Sequence, residues 1–354
     1  MNALNPDSQR CLEALVADAD MQGLVLFVGS GVNGTLLPQW GTLLGVLVRQ
    51  AIKEGSLDDH RVTSAMAACL QKWAAEHFDV GAQASIAKRI LGSARYRNEV
   101  QDALYACVAD DIERQIEDYG RKAHGSDRPI DPQLELLCRV ADLCLLPQVK
   151  AVATFNFDVL LEYAITAAAR AKGERRRPRA YFGQALTFPG SDVPASDVLP
   201  VFHVHGLLSP PSELLRTANS GLVLSHDEYF EKNADPLSWE TSTSIHLLRH
   251  FCTLWLGASL KDWNMLRLLD AARRGGTRVR SYCIQCLAEA GTSATLGGED
   301  LSTFQKVAMR LQAALFDAVG VSLIIGGEHF TDIPVTISEM VTARLARPKS
   351  GSFQ

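Results

Sequence analysis

The 354-residue sequence lacks any apolar run of the roughly 18 residues that a membrane-spanning helix needs. Its first 20 residues carry four acidic side chains and no apolar core of the signal-peptide kind. It also lacks an excess of basic charge, because 35 Lys and Arg stand against 40 Asp and Glu and leave a net charge of −5. Nucleic-acid-binding proteins usually show the opposite balance. We therefore expect a cytoplasmic protein that binds neither membranes nor nucleic acid directly.

Cysteine is present, but not in the pattern of a disulfide framework. The eight cysteines fall mostly inside apolar segments, and in a chain of this length such residues are usually reduced and buried. Cys283 and Cys286 form the only C-x-x-C pair of the sequence. No second pair and no histidine at ligand spacing accompanies them, as a structural zinc site would require. The sequence predicts free thiols and no bound metal.

Short apolar runs alternate with segments of helical periodicity, which is typical of α/β proteins. The strand candidates are 24–30, 149–157, 199–206, 251–259, 280–286 and 320–327. Runs that are apolar throughout indicate strands buried on both faces. The sequence therefore predicts a Rossmann-like, mainly parallel sheet with helices on both faces.

Residues 58–147 interrupt the alternation with a stretch rich in Ala, Leu, Gln, Glu and Lys, which predicts a helical insertion of three to five helices. We expect one domain over 1–348, with a Rossmann-like core at about 20–57 and 148–346 and a disordered tail over 349–354. The arginine-rich "GERRRPRAY" (173–181) is predicted to be a solvated surface loop. A partner interface or a site for a phosphate-bearing ligand is the alternative.

The first strand candidate runs into a glycine-rich turn, "VLFVGSGVNG". Gly29, Gly31 and Gly34 have the G-x-G-x-x-G spacing, and such glycines let backbone N–H groups approach a phosphate closely. Ser30 and Asn33 can donate further hydrogen bonds. An ordinary tight turn is the alternative, because this motif alone is weak.

Polar residues also follow the next three strand candidates. In "TFNFD", strand alternation would place Thr154, Asn156 and Asp158 on one face, although helix capping is an alternative, above all for Asp158. In "HVHG", His205 at the mouth of the sheet suits proton transfer. His203 fits the pattern of a buried, hydrogen-bonded histidine better. A metal site formed by His203 and His205 together is the least favoured interpretation.

The fourth such segment is "LGASLKDWN". Small residues at the end of a strand, here Gly257 and Ser259, let a nucleotide lie against the backbone. Asp262 or Asn264 is expected to cap the helix that follows.

The order of these motifs resembles the sirtuin-like family, from about Leu24 to Ile325 apart from the insertion. "LPQWGTLL" (37–44) and "LVLSHDEYF" (222–230) look like the bacterial branch found in anti-phage defence proteins. The resemblance implies that NAD is bound and that Asn156 holds the nicotinamide ribose and orders a water, with His205 as general base. It implies that Asp158 lies near the carboxamide. The remaining implied NAD-binding residues are Gly29, Ser30, Gly31 and Val32 for the diphosphate, Gly257 and Ser259 for the adenosine half, and Asn33 and Thr154 beside them.

Departures from the family pattern bear on the reaction. Deacylating sirtuins carry two zinc-binding cysteine pairs before the G-x-S strand, but residues 207–250 contain no cysteine. Phe155 replaces the glutamine that usually precedes the key asparagine. We therefore expect an NAD+ glycohydrolase that releases nicotinamide and ADP-ribose, with NAD as substrate. The alternatives are a non-catalytic NAD or ADP-ribose sensor, a zinc-less deacylase and, last, a dehydrogenase, whose second strand and ribose acid are missing.

The resemblance further implies that NAD depletion is switched on during infection. We expect a homo-oligomer, and a HerA-like ATPase as a possible separate activating partner. The surface for assembly is expected in the insertion or on exposed helices around 104–119. The sequence leaves the trigger, the oligomer order and the choice between hydrolysis and cyclisation open.

Overall fold

The structure, a computed structural model, describes most of the chain. The described residues are 6–34, 36–38, 40–54, 63–106, 108, 112–122, 131–183, 197–210, 222–235, 237–260, 262–276, 279–286, 298–327 and 330–345. The expected tail at 349–354 lies outside them. No helix in these ranges is long and apolar enough to cross a membrane.

The described residues form a seven-stranded sheet in which every pairing is parallel. The strands are β1 Leu24–Val28, β2 Val149–Thr154, β3 Arg177–Tyr181, β4 Val198–His203, β5 Cys252–Leu256, β6 Ser281–Cys286 and β7 Val321–Gly327. Their spatial order is β3-β4-β2-β1-β5-β6-β7. The predicted Rossmann-like α/β class is therefore confirmed.

Thirteen helices connect and cover the strands within the described ranges. They are α1 Pro6–Gln22, α2 Trp40–Glu54, α3 Ser64–His77, α4 Val80–Leu91, α5 Ser93–Tyr105, α6 Ile112–Lys122, α7 Pro132–Cys144, α8 Leu160–Ala171, α9 His226–Ala234, α10 Trp239–His250, α11 Trp263–Arg274, α12 Gly298–Ala318 and α13 Ile333–Leu345. Five of them, α3 to α7, fall within the stretch predicted as a helical insertion. The Asp262 side chain caps α11 by accepting from the Asn264 N–H at 2.9 Å, as one of the two expected caps.

The chain reverses its direction of travel across the sheet at β1, which lies between β2 and β5. Ligands of open parallel sheets bind beyond the carboxyl ends of the strands at such a switch point. The loops that follow β1, β2 and β5 are therefore the ones that position a site. They carry the glycine turn, the "TFNFD" segment and the "LGASL" segment.

The sheet is buried on both faces, with a hydrophobic cluster against each. The larger cluster joins sheet residues such as Leu26 and Val28 to insertion residues such as Ala84 and Tyr96. The insertion therefore shares its core with the sheet. Within residues 104–119, Leu104, Tyr105, Ile112, Ile116 and Tyr119 are buried in that same cluster, and an assembly surface there stays a prediction.

Two expectations about strands are wrong. The arginine-rich stretch contains the edge strand β3 rather than only a loop, since its backbone pairs with β4 from Arg177 to Tyr181. Charged residues and a proline such as Pro178 are typical of edge strands, where they discourage pairing with other molecules. The strand candidates 149–157 and 199–206 are also too long, because β2 ends at Thr154 and β4 at His203. Strand alternation therefore does not extend to Asn156, Asp158 or His205.

Candidate functional site

A small cleft opens at the carboxyl ends of β1 and β2. Its polar lining consists of Ser30, Asn33, Asn156 and Asp158. Its apolar lining consists of Leu37, Pro38, Trp40, Leu43, Leu104 and Phe157. The Trp40 and Phe157 rings meet edge to face at 5.3 Å between centroids, which makes this wall rigid. A cleft with an apolar wall and a few convergent polar groups is typical of small-molecule sites.

The glycine turn after β1 packs against the backbone that follows β5. A Cβ atom at Gly31 would lie 2.8 Å from the Gly257 carbonyl oxygen, and one at Gly257 would lie 2.4 Å from the Val32 nitrogen. The Gly31 N–H donates to the Gly257 carbonyl at 2.9 Å, and the Gly29 N–H donates to the Leu256 carbonyl at 2.9 Å. In this structure, these glycines let two backbones approach each other.

The next two N–H groups of the turn are also engaged within the protein. The Val32 N–H donates to the Gly29 carbonyl and the Asn33 N–H to the Ser30 carbonyl, each at 3.1 Å, within a short 3-10 helix. Diphosphate binding at this turn stays a prediction.

Asn156 is buried, and three bonds to it come from three strands or their loops. Its N–H donates to the Thr154 hydroxyl at 3.1 Å, its Nδ2 donates to the Gly29 carbonyl at 3.3 Å, and its carbonyl faces His203 Nδ1 at 3.2 Å. The Thr154 hydroxyl thus turns the chain out of β2. Asn156 is one of the cleft-lining residues, and no described residue donates to its buried Oδ1.

Asp158 is buried beside Asn156 and bonded on both of its oxygens. Oδ2 accepts from Asn33 Nδ2 at 2.7 Å, and Oδ1 accepts from the Leu160 N–H at 3.0 Å. The second bond is the helix-terminal role that the sequence left open. Burial raises the pKa of Asp158 to about 6, although the Leu160 N–H opposes this rise. Asn33 Oδ1 is a second buried acceptor to which no described residue donates.

His203 is fully buried and bridges two elements. Its Nε2 lies 2.5 Å from Glu162 Oε1, on α8, and its Nδ1 faces the Asn156 carbonyl. Burial disfavours the imidazolium, but the Glu162 carboxylate, the Asn156 carbonyl and the Asp158 carboxylate together outweigh burial, and the pKa of His203 is raised above its ordinary value. The expected buried, hydrogen-bonded histidine is therefore what the structure has.

His205 lies outside the residues that line the cleft and contacts aromatic rings. The Phe155 ring meets it edge to face at 5.0 Å and the Tyr229 ring at 5.5 Å between centroids. Burial lowers the pKa of His205 to about 4, and the nearby Asp262 carboxylate opposes this. The imidazole is therefore neutral at pH 7. The Tyr229 hydroxyl is hydrogen-bonded to the same Asp262.

The structure thus gathers some of the predicted residues and separates others. Ser30, Asn33, Asn156 and Asp158 line the cleft. Thr154 and the glycines do not line it, but they fix the backbone of the residues that do. Ser259 is exposed on the loop after β5, and His205 lies against Phe155, outside the cleft lining.

Sequence reasoning assigned no role to Glu162, Trp40 or Tyr229. Glu162 had a usable signal, because it is an acid within the apolar run "VLLEYAI" and buried acids need a partner. Trp40 and Tyr229 fall in the two segments whose resemblance was noted, but nothing in their spacing indicated the site.

Within the described ranges, no three His, Cys, Asp or Glu side chains are grouped so that they could hold a metal ion. Cys283 is buried in β6, and Cys286 is partly exposed.

Comparisons with known proteins agree with the motifs. Residues 150–295 match the family model of the SIR2-like domain, a segment that carries β3 to β6 and nearly all of β2. This part of the chain is therefore SIR2-like, and the resemblance to the sirtuin-like family is confirmed. A SIR2-like domain implies NAD-dependent activity in general.

Solved structures and curated proteins add little. One solved structure, described as "Structural Basis for the Mechanism and Regulation of Sir2 Enzymes", aligns at 15% identity and a TM-score of 0.39. The alignment covers 97% of this chain and 100% of that chain. A search of curated proteins finds no match.

Proposed function

We propose that the chain is an NAD+ glycohydrolase that cleaves the bond between nicotinamide and ribose. The observation that carries this proposal is the buried Oδ1 of Asn156, a cleft-lining residue, to which no described residue donates. A buried acceptor without a partner costs about 1–3 kcal/mol, so a ligand hydroxyl or a water at this atom is favoured. The ribose and the attacking water of the reaction both supply such donors.

The cleft suits the leaving half of NAD. The rings of Trp40 and Phe157 offer an apolar wall for the nicotinamide ring, and the carboxamide NH2 group can donate to Asp158 and to Asn33 Oδ1. In the reaction the C1′–N bond breaks and its electron pair neutralises the pyridinium, so nicotinamide leaves without a proton. The water oxygen forms the new bond to C1′. The protein must hold the ribose and the water in line, and no metal is needed for this step.

His205 is the proposed acceptor of the proton that the water loses. Its pKa of about 4 keeps it neutral at pH 7, as a base must be, and the Asp262 carboxylate stabilises the imidazolium that forms. Since His205 does not line the cleft in this structure, NAD binding must bring the attacking water within its reach. The bound ribose is expected to draw the attacking water toward His205.

The test is nicotinamide release from NAD by the purified chain and by Asn156→Ala and His205→Ala. We expect release by the wild type and a loss of about 100-fold or more in both variants, the range that positioning and general-base groups contribute. Asn98→Ala and His250→Ala, at exposed positions on α5 and α10, are matched controls that should retain full activity. Tight NAD binding by the wild type without release would favour the NAD or ADP-ribose sensor instead.

We also propose that the active form is a homo-oligomer and that NAD depletion serves anti-phage defence, with a HerA-like ATPase as a candidate activator. Two exposed apolar rows support assembly. On α3, within the insertion, the row is Met66, Leu70 and Trp73, which share one helix face. On α12 the row is Phe304, Val307, Leu311 and Leu315. If a partner is required, the purified chain should release nicotinamide once the partner is added. If an oligomer is required, release should begin once the oligomer has formed.

A further inference from the structure

We propose that the buried pair of His203 and Glu162 is a positioning device, in which His203 donates from both ring nitrogens and holds in place the turn that carries Asn156, a residue of the cleft lining. The inference rests on the proposed function for its effect on catalysis, but the pair itself is a structural claim. Neither residue lines the cleft, so both act through Asn156.

The geometry fixes where the protons are. A backbone carbonyl can only accept, so His203 Nδ1, 3.2 Å from the Asn156 oxygen, must carry a hydrogen. At the other ring nitrogen, Nε2 and Glu162 Oε1 are 2.5 Å apart, and one proton must lie between them. The pair therefore holds two protons, and an ionised Glu162 makes His203 an imidazolium. His203 is 1% exposed, so water cannot replace either bond.

The bond to the carbonyl completes the fixation of Asn156. The Thr154 hydroxyl accepts from its N–H and the Gly29 carbonyl from its Nδ2, so His203 adds the third anchor. β4 pairs with β2 in a register that sets His203 opposite Thr154, which brings the ring to the turn. With N–H, C=O and Nδ2 all bonded, Oδ1 is the one polar atom of Asn156 left for a ligand.

The pair also bears on the charge of Asp158. The titratable groups that face Asp158 are Glu162 on α8, His203 on β4 and Tyr105 on α5. Glu162 disfavours the Asp158 carboxylate, whereas the His203 cation favours it. Loss of the imidazolium must therefore shift the protonation of Asp158 toward higher pH, which a purely structural role for His203 would not do.

Two substitutions separate the two bonds of His203. The amide nitrogen of Asn can stand in for Nδ1 and that of Gln for Nε2, so His203→Asn retains the donor to the Asn156 carbonyl and His203→Gln the donor to Glu162. We expect His203→Gln to lower kcat for nicotinamide release by about tenfold or more, with KM for NAD changed less than about threefold. We expect His203→Asn to recover at least about threefold of that loss. In both variants the acid limb of the pH profile should move to higher pH.

Tyr282→Phe is the matched control for the loss of a buried hydrogen bond, since the Tyr282 hydroxyl donates to Asp18 at 2.6 Å, in β6 and away from the cleft. It should leave kcat and the pH profile unchanged. Equal kcat in wild type and His203→Gln, or equal losses in the Asn and Gln variants, would overturn the proposal.

A measurement on the wild type decides the pair even if the variants do not fold or the chain does not cleave NAD. In the 15N spectrum of the histidine-labelled chain at about pH 8, we expect one of the nine imidazoles to keep both nitrogens protonated while ordinary histidines are neutral. Nine neutral imidazoles at that pH would refute the pair and leave the proposed glycohydrolase activity standing. A doubly protonated imidazole without nicotinamide release, measured with the assembled chain and its activator present, would leave the pair standing and refute the activity.

Discussion

Asp158 is held by donors from two different elements, Asn33 after β1 and Leu160 at the start of α8. Both bonds favour the carboxylate, but burial outweighs them and raises its pKa to about 6. This residue therefore changes charge within a range that an assay can reach. Since its folded-state pKa lies above the usual value for an aspartate, ionisation costs stability above pH 6, and the cost is relieved as the pH falls.

Nicotinamide release should fall as the pH drops through about 6, because protonation removes the charge of Asp158 and turns one of its acceptor oxygens into a donor, which weakens its bond to the nicotinamide carboxamide. One pH unit below that value, about a tenth of the carboxylate remains and the rate should fall about tenfold. The check is kcat/KM for NAD between pH 5 and 8 in wild type and Asp158→Asn. The variant should be slower and lack this limb. A fall in kcat/KM below about pH 6 that persists in Asp158→Asn would show that another group causes it.

At the scale of elements, the turns after β1 and β5 are interlocked through their backbones. Gly257 has φ +63° and faces Val32, whereas Gly173 has nearly the same φ, +66°, with open space around it. The two glycines thus share a conformational requirement and differ in packing. This pair isolates the energy of the backbone contact that shapes the cleft.

Gly173→Ala should lower the free energy of unfolding by about 1 kcal/mol, the cost of a left-handed alanine. Gly257→Ala should lower it by at least about 2 kcal/mol more, because the added methyl group forces the two turns apart. Urea denaturation measures both. Similar losses in the two variants would show that the close contact at Gly257 contributes little.

The edge strand β3 depends on one of its arginines. The Arg176 guanidinium, which is partly buried, donates to the Leu146 carbonyl at 2.7 Å and also to that of Val149, so it ties the start of β3 to β2. Arg175, Arg177 and Arg179 are exposed. Arg176→Ala should reduce stability by about 2 kcal/mol and Arg175→Ala by less than about 0.5 kcal/mol in thermal and urea unfolding. Equal losses of stability in the two variants would show that Arg176 contributes no more than a solvated arginine.

The sequence allowed the prediction of six of the seven strands, because a strand buried on both faces leaves a continuous apolar run. β3 was missed, since a charged edge strand has no such run. The end of β2 was also misplaced, because "TFNFD" alternates like a strand although the Thr154 hydroxyl turns the chain. Asn156 and Asp158 were found from their position after β2, but the His203–Glu162 contact joins residues 41 positions apart and leaves no local signal.

At the scale of the whole molecule, the helical insertion is bonded to the segment that follows β4. Gln101 Nε2 donates to the Ser209 carbonyl at 2.7 Å, and the Tyr105 hydroxyl donates to the Leu208 carbonyl at 2.8 Å. Lys88 on α4 pairs with Asp227 on α9 at 2.7 Å. A change at the surface of the insertion is therefore connected to the cleft through these bonds and through Leu104, which lines the cleft.

Self-association through the exposed row on α3 is testable by substitution. Leu70 is 40% exposed between Met66 and Trp73. Leu70→Glu should convert the assembled wild type to monomers in sedimentation velocity, because a buried unpaired carboxylate opposes an apolar interface. Lys72→Glu adds an acid on the opposite face of the same helix and should leave the assembly intact. A monomeric wild type, or an unchanged assembly in Leu70→Glu, would contradict this role for α3.

The most direct test of the central claim follows the fate of NAD in water enriched in 18O. The account predicts that each released nicotinamide is matched by one ADP-ribose carrying a single 18O at C1′, since the new bond to that carbon comes from water. Loss of NAD with an unlabelled, cyclised product would show that water is excluded and that the enzyme is a cyclase. Intact NAD, in the presence of the assembled chain and its activator, would contradict NAD cleavage altogether.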